Sequence, residues 1–307
     1  MLALPAPIVL HPGFVKTATK TLQLNLFAAH PDILFLGRPA PAPELDAAIK
    51  RIAYEDSTRY RAEEVAAVLQ RYLERAPRRR VIVLSNENFA LYEATDRGVV
   101  AERLHRLAPE ARVLFTIRRQ EEVLVGWYLQ KLRKYFRGGH YLSFPEWLRI
   151  KFKEPHRSIL ADLDYSGTIL RYVELFGRER VEVLPFELLK AEPHLFAARL
   201  AAWLGVEAEG VRELLARPAQ NPSRTTLYIA FHRTLGRLLP ARLAFKLGVR
   251  LVARLPGRRP ELRLDPATRS WLRAHCAAGN RRLAEIFDLD LGRFGYVLAE
   301  SHECGEG

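Results

Sequence analysis

The chain is poor in the features that mark secreted, metal-centred or membrane-spanning proteins. Of its 307 residues only Cys276 and Cys304 are cysteines. Two so far apart support neither a disulfide framework nor a metal-ligand cluster, which favours a reducing compartment. No charge-free run approaches the ~20 apolar residues of a bilayer span. The N-terminus lacks a basic region followed by a long apolar core, so a soluble, cytoplasmic protein is expected. Acidic residues are the third scarcity: 35 Asp and Glu face 48 Lys and Arg, a net charge of +13, and none lies between Tyr228 and Pro260. This balance favours polyanionic partners such as nucleic acid, anionic membrane, acidic glycan or a highly phosphorylated cofactor. An Arg-rich composition bias gives the same excess, so charge alone does not choose among them.

Hydrophobic residues make up 49% of the chain, ample for a buried core. Short β-branched or aliphatic runs at 7–10, 80–84, 112–117 and 181–186 read as buried strands. Helical patterns at 19–29, 62–76, 97–107, 121–136 and 166–176 separate them; in the second, Val65, Val68, Leu69 and Tyr72 form the apolar face. This alternation predicts an α/β fold, a parallel β-sheet flanked by helices, with ligands beyond the carboxyl ends of the strands. The segment 37–43 (GRPAPAP) reads as a surface loop, and Gly138-Gly139 as a helix break. After Pro218 the character changes. Arg233, Arg237, Arg242, Lys246, Arg250, Arg254 and Arg258 recur nearly every fourth position among Leu, Val and Phe, as on one face of one or two helices divided near Pro240. The expected organisation is an α/β domain over 1–225, a basic helical extension over 226–300 packed on it, and a frayed tail over 301–307.

The most informative stretch is 8–27, IVLHPGFVKTATKTLQLNLF. An apolar run meets a loop containing Gly13, then Lys16, Thr17, Ala18 and Thr19, then a helical pattern with Leu22, Leu24, Leu26 and Phe27. First-turn amides of a helix have no intrahelical partner and lie at its positive end, so a phosphate or sulfate is held well there. Lys16 adds a cation and the Thr hydroxyls add donors. The spacing differs from the nucleotide-triphosphate loop, which has four residues between its first glycine and a Gly-Lys pair; here Phe14 and Val15 alone separate Gly13 from Lys16.

The wording resembles the 5′-phosphosulfate loop of bacterial sulfotransferases, H-x-G-x-x-K-T-G/A-T-T-x-L-Q. His11, Gly13, Lys16, Thr17, Ala18, Thr19, Leu22 and Gln23 stand at its positions, and Lys20 replaces the second Thr. A second segment, 113–130 (VLFTIRRQEEVLVGWYLQ), is similar to the family's 3′-phosphate signature, R-x-P/Q-x-x-x-x-x-S-x-Y, through Arg118, Gln120 and Tyr128. Gly126 takes the place of the Ser that donates to the 3′-phosphate, a loss on the order of 1.5–3 kcal/mol of cofactor affinity unless water or Arg224 substitutes. Cations opening a helix oppose its dipole, so Arg118 and Arg119 point to an anionic partner there. The resemblance covers roughly 8–224 and implies a P-loop-like three-layer α/β/α fold with 3′-phosphoadenosine 5′-phosphosulfate (PAPS) as donor and adenosine 3′,5′-bisphosphate (PAP) as product, without a metal.

By this resemblance Lys16, Thr17, Ala18, Thr19, Lys20 and Thr21 hold the 5′-phosphosulfate, with Arg118, Gly126 and Arg224 around the 3′-phosphate. Arg224 belongs to Asn221-Pro222-Ser223-Arg224, where the family's late phosphate loop lies, without its Arg-Lys-Gly form. Segment 164–187 resembles the helix-then-strand unit after the cofactor site, with Ser166 as helix cap. Lys16 stabilises the leaving oxygen. Glu87, in the strand exit Ser85-Asn86-Glu87-Asn88, is the candidate general base, with His11 the alternative; a capping carboxylate and a structural histidine are the competing roles. Residues 131–162, with Lys134, Tyr135, Tyr141, Trp147 and His156, are expected to shape the cleft for a carbohydrate, glycolipid or small-molecule acceptor. Two other readings stay open. A P-loop phosphotransferase predicts a magnesium-binding Asp at a strand end, and neither 85–87 nor the end of the strand at Ile117 offers one. A non-enzymatic polyanion- or membrane-surface-binding protein acts through Arg233 to Arg258, which otherwise forms a solvated face. No specific nucleic-acid partner is expected.

Overall fold

A computed structural model describes residues 2–37, 40, 42–91, 96–218, 226–234, 238–252, 255, 258 and 260–298. Arg224, Arg237, Arg254 and the 301–307 tail lie outside them, as does part of the 37–43 loop. Five strands form one sheet: β1 (Ile8–His11), β2 (Ile33–Leu36), β3 (Val81–Ser85), β4 (Arg112–Ile117) and β5 (Val181–Pro185). Their order is β2-β3-β1-β4-β5, and every pairing is parallel. Parallel strands need crossovers, supplied here by helices. These are α1 (Thr19–Thr21), α2 (Pro43–Tyr54), α3 (Ala62–Arg75), α4 (Arg97–Leu107), α5 (Gln120–Arg137), α6 (Phe144–Lys151) and α7 (Tyr165–Phe176). After β5 come α8 (Phe186–Ala191), α9 (Pro193–Leu204), α10 (Ala208–Leu215), α11 (Thr226–Arg233), α12 (Ala241–Arg250) and α13 (Pro266–Phe287).

The strands carry apolar residues on both faces because both faces are covered. Ile8, Leu10, Ile82, Leu84, Val113, Phe115 and Ile117 enter one core with residues of α2, α3, α4 and α7. Their alternates Val9, Val81, Val83 and Leu114 enter the other, with Leu22, Leu26, Phe27, Phe196 and Leu200. A third cluster joins Trp127, Leu132 and Phe136 of α5 and Trp147 of α6 to Tyr228, Leu264 and Leu272. β1 lies at the centre of the sheet, where the chain's direction of progress reverses. The carboxyl ends of β1, β3 and β4 therefore flank the crevice in which such sheets place ligands. No described helix is long and apolar enough to cross a membrane.

Four of the five strands lie within a residue of the expected positions; β2 and α2 were not anticipated. β2 is an edge strand of four residues (ILFL) with two half-buried positions, too short to show a period. Residues 19–27 are helical as expected, but only Thr19–Thr21 is α; Leu22–Phe27 is a π-helix, closed by the Ala28 amide donating to the Gln23 carbonyl at 3.0 Å. The wider winding buries both Gln23 and Asn25 beside Leu22, Leu26 and Phe27. α7 is capped by Asp164, whose Oδ1 accepts from the Ser166 amide at 3.1 Å and the Ser166 hydroxyl at 2.6 Å; Ser166, the expected cap, lies inside the helix. α5 ends at the predicted Gly138-Gly139 break, and Pro240 divides α11 from α12.

Phe14 ties loop to core. Its ring, 1% exposed, lies 4.7 Å from Tyr165 and 5.5 Å from Phe115. Phe14→Ala is expected to lower unfolding stability by about 3–5 kcal/mol, measured by denaturant melts, with a larger loss of amide protection in the 12–18 loop than elsewhere by hydrogen exchange.

Candidate functional site

The loop between β1 and α1 turns sharply because three of its residues take left-handed backbone conformations: Gly13 at φ 59°, Lys16 at 64° and Ala18 at 73°. Glycine adopts these freely; Lys16 and Ala18 do so at a cost of about 1–2 kcal/mol each. Side-chain hydrogen bonds hold the curl. The Phe14 carbonyl accepts from the Thr17 hydroxyl at 2.7 Å and from the Thr19 hydroxyl at 2.9 Å. Thr17 also meets the Thr116 hydroxyl of β4 at 3.0 Å. Both threonines are buried. Their hydroxyls thus brace the loop in this structure. Gly13 admits no substituent, since a Cβ would come within 2.9 Å of Thr19 Oγ1 and 3.2 Å of His11 Cε1. Lys20 is exposed and Thr21 half-buried.

The second motif meets the first. Arg118, at the end of β4, is 7% exposed, and its Nη1 donates to the Lys16 carbonyl at 3.1 Å across 102 residues of sequence. Its Nη2 donates to Glu122 Oε2 at 2.9 Å, and its guanidinium lies 4.7 Å from the Phe186 ring. Arg119 reaches the other Glu122 oxygen at 3.6 Å, while its amide donates to Glu187 at 3.1 Å. Glu122 and Glu187 thus partner the two arginines in this structure, on the side where an anion is expected. Glu122 stands four residues beyond Arg118 on α5, a spacing legible in the sequence as an ion pair.

Gly126, the main departure from the second motif, is a packing position for Lys16. A Cβ there would lie 3.0 Å from Lys16 Cε and 3.6 Å from Cγ, so the lysine stem rests on bare helix backbone. Its Nζ reaches Gln130 Oε1 at 3.4 Å. Tyr128, the motif's last residue, is structural: its hydroxyl donates to the Leu142 carbonyl at 2.7 Å, its ring packs on Phe144 and Trp147, and burial pushes its phenol well above the usual range. Trp147, expected in an acceptor cleft, is fully buried in the same cluster; Lys134 and His156 are exposed and Tyr135 and Tyr141 half-buried.

Beneath the loop His11 pairs with Ser85, its partner in the β1–β3 register. His11 Nδ1 lies 2.7 Å from Ser85 Oγ, which also accepts from Gln23 Nε2 at 3.0 Å. His11 is wholly buried, and the burial pulls its imidazole down to about 3. Burial disfavours its charged form, and the contact with Ser85 ties the end of β1 to the end of β3. Next along β3, Asn86 caps a short 3₁₀ turn, accepting from the Asn88 amide at 3.0 Å, and Glu87 opens that turn, half-buried. Glu87 thus follows the cap, with its side chain at the carboxyl end of β3. His11 Nε2 and Asn86 Nδ2 are buried with no hydrogen-bond partner among the described residues. Two unsatisfied polar atoms at adjacent strand ends are costly unless a polar ligand meets them.

A pocket opens at the start of α5, lined by Arg119, Glu121, Leu272 and Cys276 among others. Two of its lining residues belong to α13, and Lys16 does not line it. The Cys276 thiol there is pushed up to about 12 by burial, which excludes it as a nucleophile at neutral pH.

Ala18→Gly relieves the left-handed strain and is expected to raise stability by up to about 1 kcal/mol, read as an increase in Tm. His11 titrates near 3 when folded and near 6.5 when unfolded, so below about pH 6.5 the unfolded chain binds the extra proton. Its contribution is complete above pH 6.5 and is lost as pH falls toward 3. His232, pulled down to about 4 by burial, acts in the same direction. Urea melts from pH 7 to 4 are expected to fall less steeply in His11→Gln than in the parent chain.

No protein-family model and no curated protein sequence matches the chain. Solved structures do. A sulfotransferase from Alicyclobacillus acidocaldarius superposes with a TM-score of 0.59 at 19% identity, over 95% of this chain and 99% of that one. Weaker likenesses, at TM-scores of 0.41 and 0.44 and 15% identity, are to mouse sulfotransferase SULT7A1 complexed with PAP and to a sulfotransferase domain from the curacin biosynthetic pathway. They cover 96% of this chain in each case, and 88% and 99% of those chains. At 0.59, with both chains covered almost end to end, the fold of this protein is the sulfotransferase-type α/β fold.

Proposed function

We propose that the protein transfers a sulfuryl group from PAPS to a hydroxyl or amine of a carbohydrate, glycolipid or small-molecule acceptor, releasing PAP. One observation carries the reading: the Arg118 guanidinium and the Lys16 carbonyl, from two separate anion-binding motifs, are joined by a 3.1 Å hydrogen bond. A donor phosphorylated at both its 5′ and 3′ positions needs two neighbouring anion sites, and a single-phosphate ligand does not. The left-handed turn at Gly13 and the unpartnered His11 Nε2 and Asn86 Nδ2 fit a polar ligand at the strand ends.

Bound PAPS supplies an activated sulfuryl group on a phosphate leaving group. The amides of Thr17, Ala18 and Thr19 hold the 5′-phosphosulfate, and Thr21 and Lys20 border it. Lys16, leaving Gln130, neutralises the charge that develops on the oxygen whose bond to sulfur breaks. Arg118 binds the 3′-phosphate, for which Glu122 competes; Gly126 contributes room rather than a hydroxyl. Arg224 remains a further candidate from the sequence. Glu87 accepts the proton that leaves the acceptor hydroxyl as its oxygen bonds to sulfur. A P-loop phosphotransferase is the alternative, distinguished by its need for magnesium.

Calorimetric titration with PAP and with ATP–magnesium tests the reading. PAP is expected to bind, with losses of about 10- to 150-fold in Lys16→Ala and in Arg118→Ala, thermal melts confirming folding. Glu87→Gln is expected to retain PAP affinity and lose about 10²–10⁴ in turnover with labelled PAPS. Binding of ATP–magnesium without PAP would sink the reading.

A further inference from the structure

We propose that the α11–α12 hairpin is a peripheral docking surface for bilayers containing anionic phospholipid. The hairpin has a well-defined inner side. His232 of α11 stacks on Phe136 near the end of α5 at 4.0 Å, and Tyr228 packs against the same ring at 5.7 Å. On α12, Ala244 and Gly248 are buried. Gly248 permits the close approach, since a Cβ there would fall 2.4 Å from His232 Nε2 and 3.3 Å from the Tyr228 ring.

The outer side carries two parallel rows. Arg242, Lys246 and Arg250 are all exposed, spaced four residues apart and so stacked along one line of the helix. Beside them, offset by one residue, run Leu243, the half-buried Leu247 and Leu251, with Leu255 beyond the end of the helix. Leu243 is 45% exposed, Leu251 62% and Leu255 52%; Leu227 and Leu238, on the same hairpin, are 46% and 81% exposed. Of the eight exposed large hydrophobics among the described residues, five therefore belong to this segment. Arg233 and Arg258 add cations, and the stretch has no carboxylate to neutralise them.

A solvated charged face has no use for a leucine row, and phosphates of a nucleic acid would be met by the cations alone. Leucines beside arginines and lysine suit one surface in particular: acyl chains under anionic headgroups, with the long basic stems lying along the apolar level and their charges at the phosphates. From Gly126 to Phe136 α5 rises about 15 Å, so docking sets the Lys16 loop close to the bilayer. On the sulfuryl-transfer reading, on which this consequence rests, the acceptor is then a hydroxyl carried by the membrane. The docking surface itself stands without that reading.

Vesicle flotation of the full chain, with no donor present, is the test. Vesicles of phosphatidylcholine with phosphatidylglycerol are expected to carry the protein, and phosphatidylcholine alone is not. Combined Arg242→Gln, Lys246→Gln and Arg250→Gln is expected to lower partitioning on the order of a hundredfold. Leu238→Ser with Leu251→Ser is expected to lower it about tenfold or more, circular dichroism confirming the fold. Absence of flotation with phosphatidylglycerol overturns the proposal. So does leucine-independent flotation abolished by added duplex DNA, which would assign the face to nucleic acid. PAP binding is measured separately, so failure here leaves the sulfuryl-transfer reading standing, and the reverse.

Discussion

The site depends on one carbonyl. Phe14 presents its main-chain oxygen to the hydroxyls of Thr17 and Thr19 while its ring is fixed between Phe115 and Tyr165. The hydrogen bonds curl the loop and the ring holds that curl at the carboxyl end of β1. Without the ring the curl would have no fixed place on the sheet; without the hydroxyls, Lys16 and Ala18 would have little to offset their left-handed backbone. Both threonines of this loop are therefore architectural in this structure, joined to the Phe14 carbonyl and, through Thr17, to Thr116 of β4.

From that point the rest of the site is assembled by neighbouring strands. β4 delivers Thr116 to Thr17 and Arg118 to the Lys16 carbonyl. β3 delivers Ser85 to His11, then Asn86 and Glu87. The π-helix turns Gln23 toward Ser85 and Asn25 toward the Arg217 carbonyl, at 3.2 Å. Adjacent strands in a parallel sheet end side by side, so residues more than seventy positions apart meet at one crevice. Glu122 and Gln130 meet Arg118 and Lys16 in this arrangement, which keeps both cations partnered beside the crevice.

Gly126 shows how a departure from a motif acquires meaning only in three dimensions. In sequence it is a missing hydroxyl. In the fold it is the surface on which the Lys16 stem lies on its way to Gln130. A serine there would force the stem aside by its Cβ alone. The same principle operates at the far end of α5, where Gly248 lets α12 close on His232 and Tyr228 and so sets the basic and leucine rows outward.

Much was legible in the residues themselves. Strand runs buried on both faces, helices with one apolar stripe, and a Gly-to-Lys spacing that excludes the triphosphate loop are local patterns, and local patterns read directly as architecture. The alternation of elements sufficed for a parallel α/β sheet, and Arg118 and Lys16 were each marked by type and spacing. What local pattern could not supply was partnership. That Thr17 and Thr19 turn inward, that Trp147 and Tyr128 are core, that Arg118 reaches the Lys16 carbonyl, and that His11 is buried against Ser85 all follow from burial and from contacts between residues as far as 74 and 102 positions apart. Burial sets both which hydrogen bonds a side chain must make and whether it can carry charge, and burial is decided only when the strands are laid beside one another.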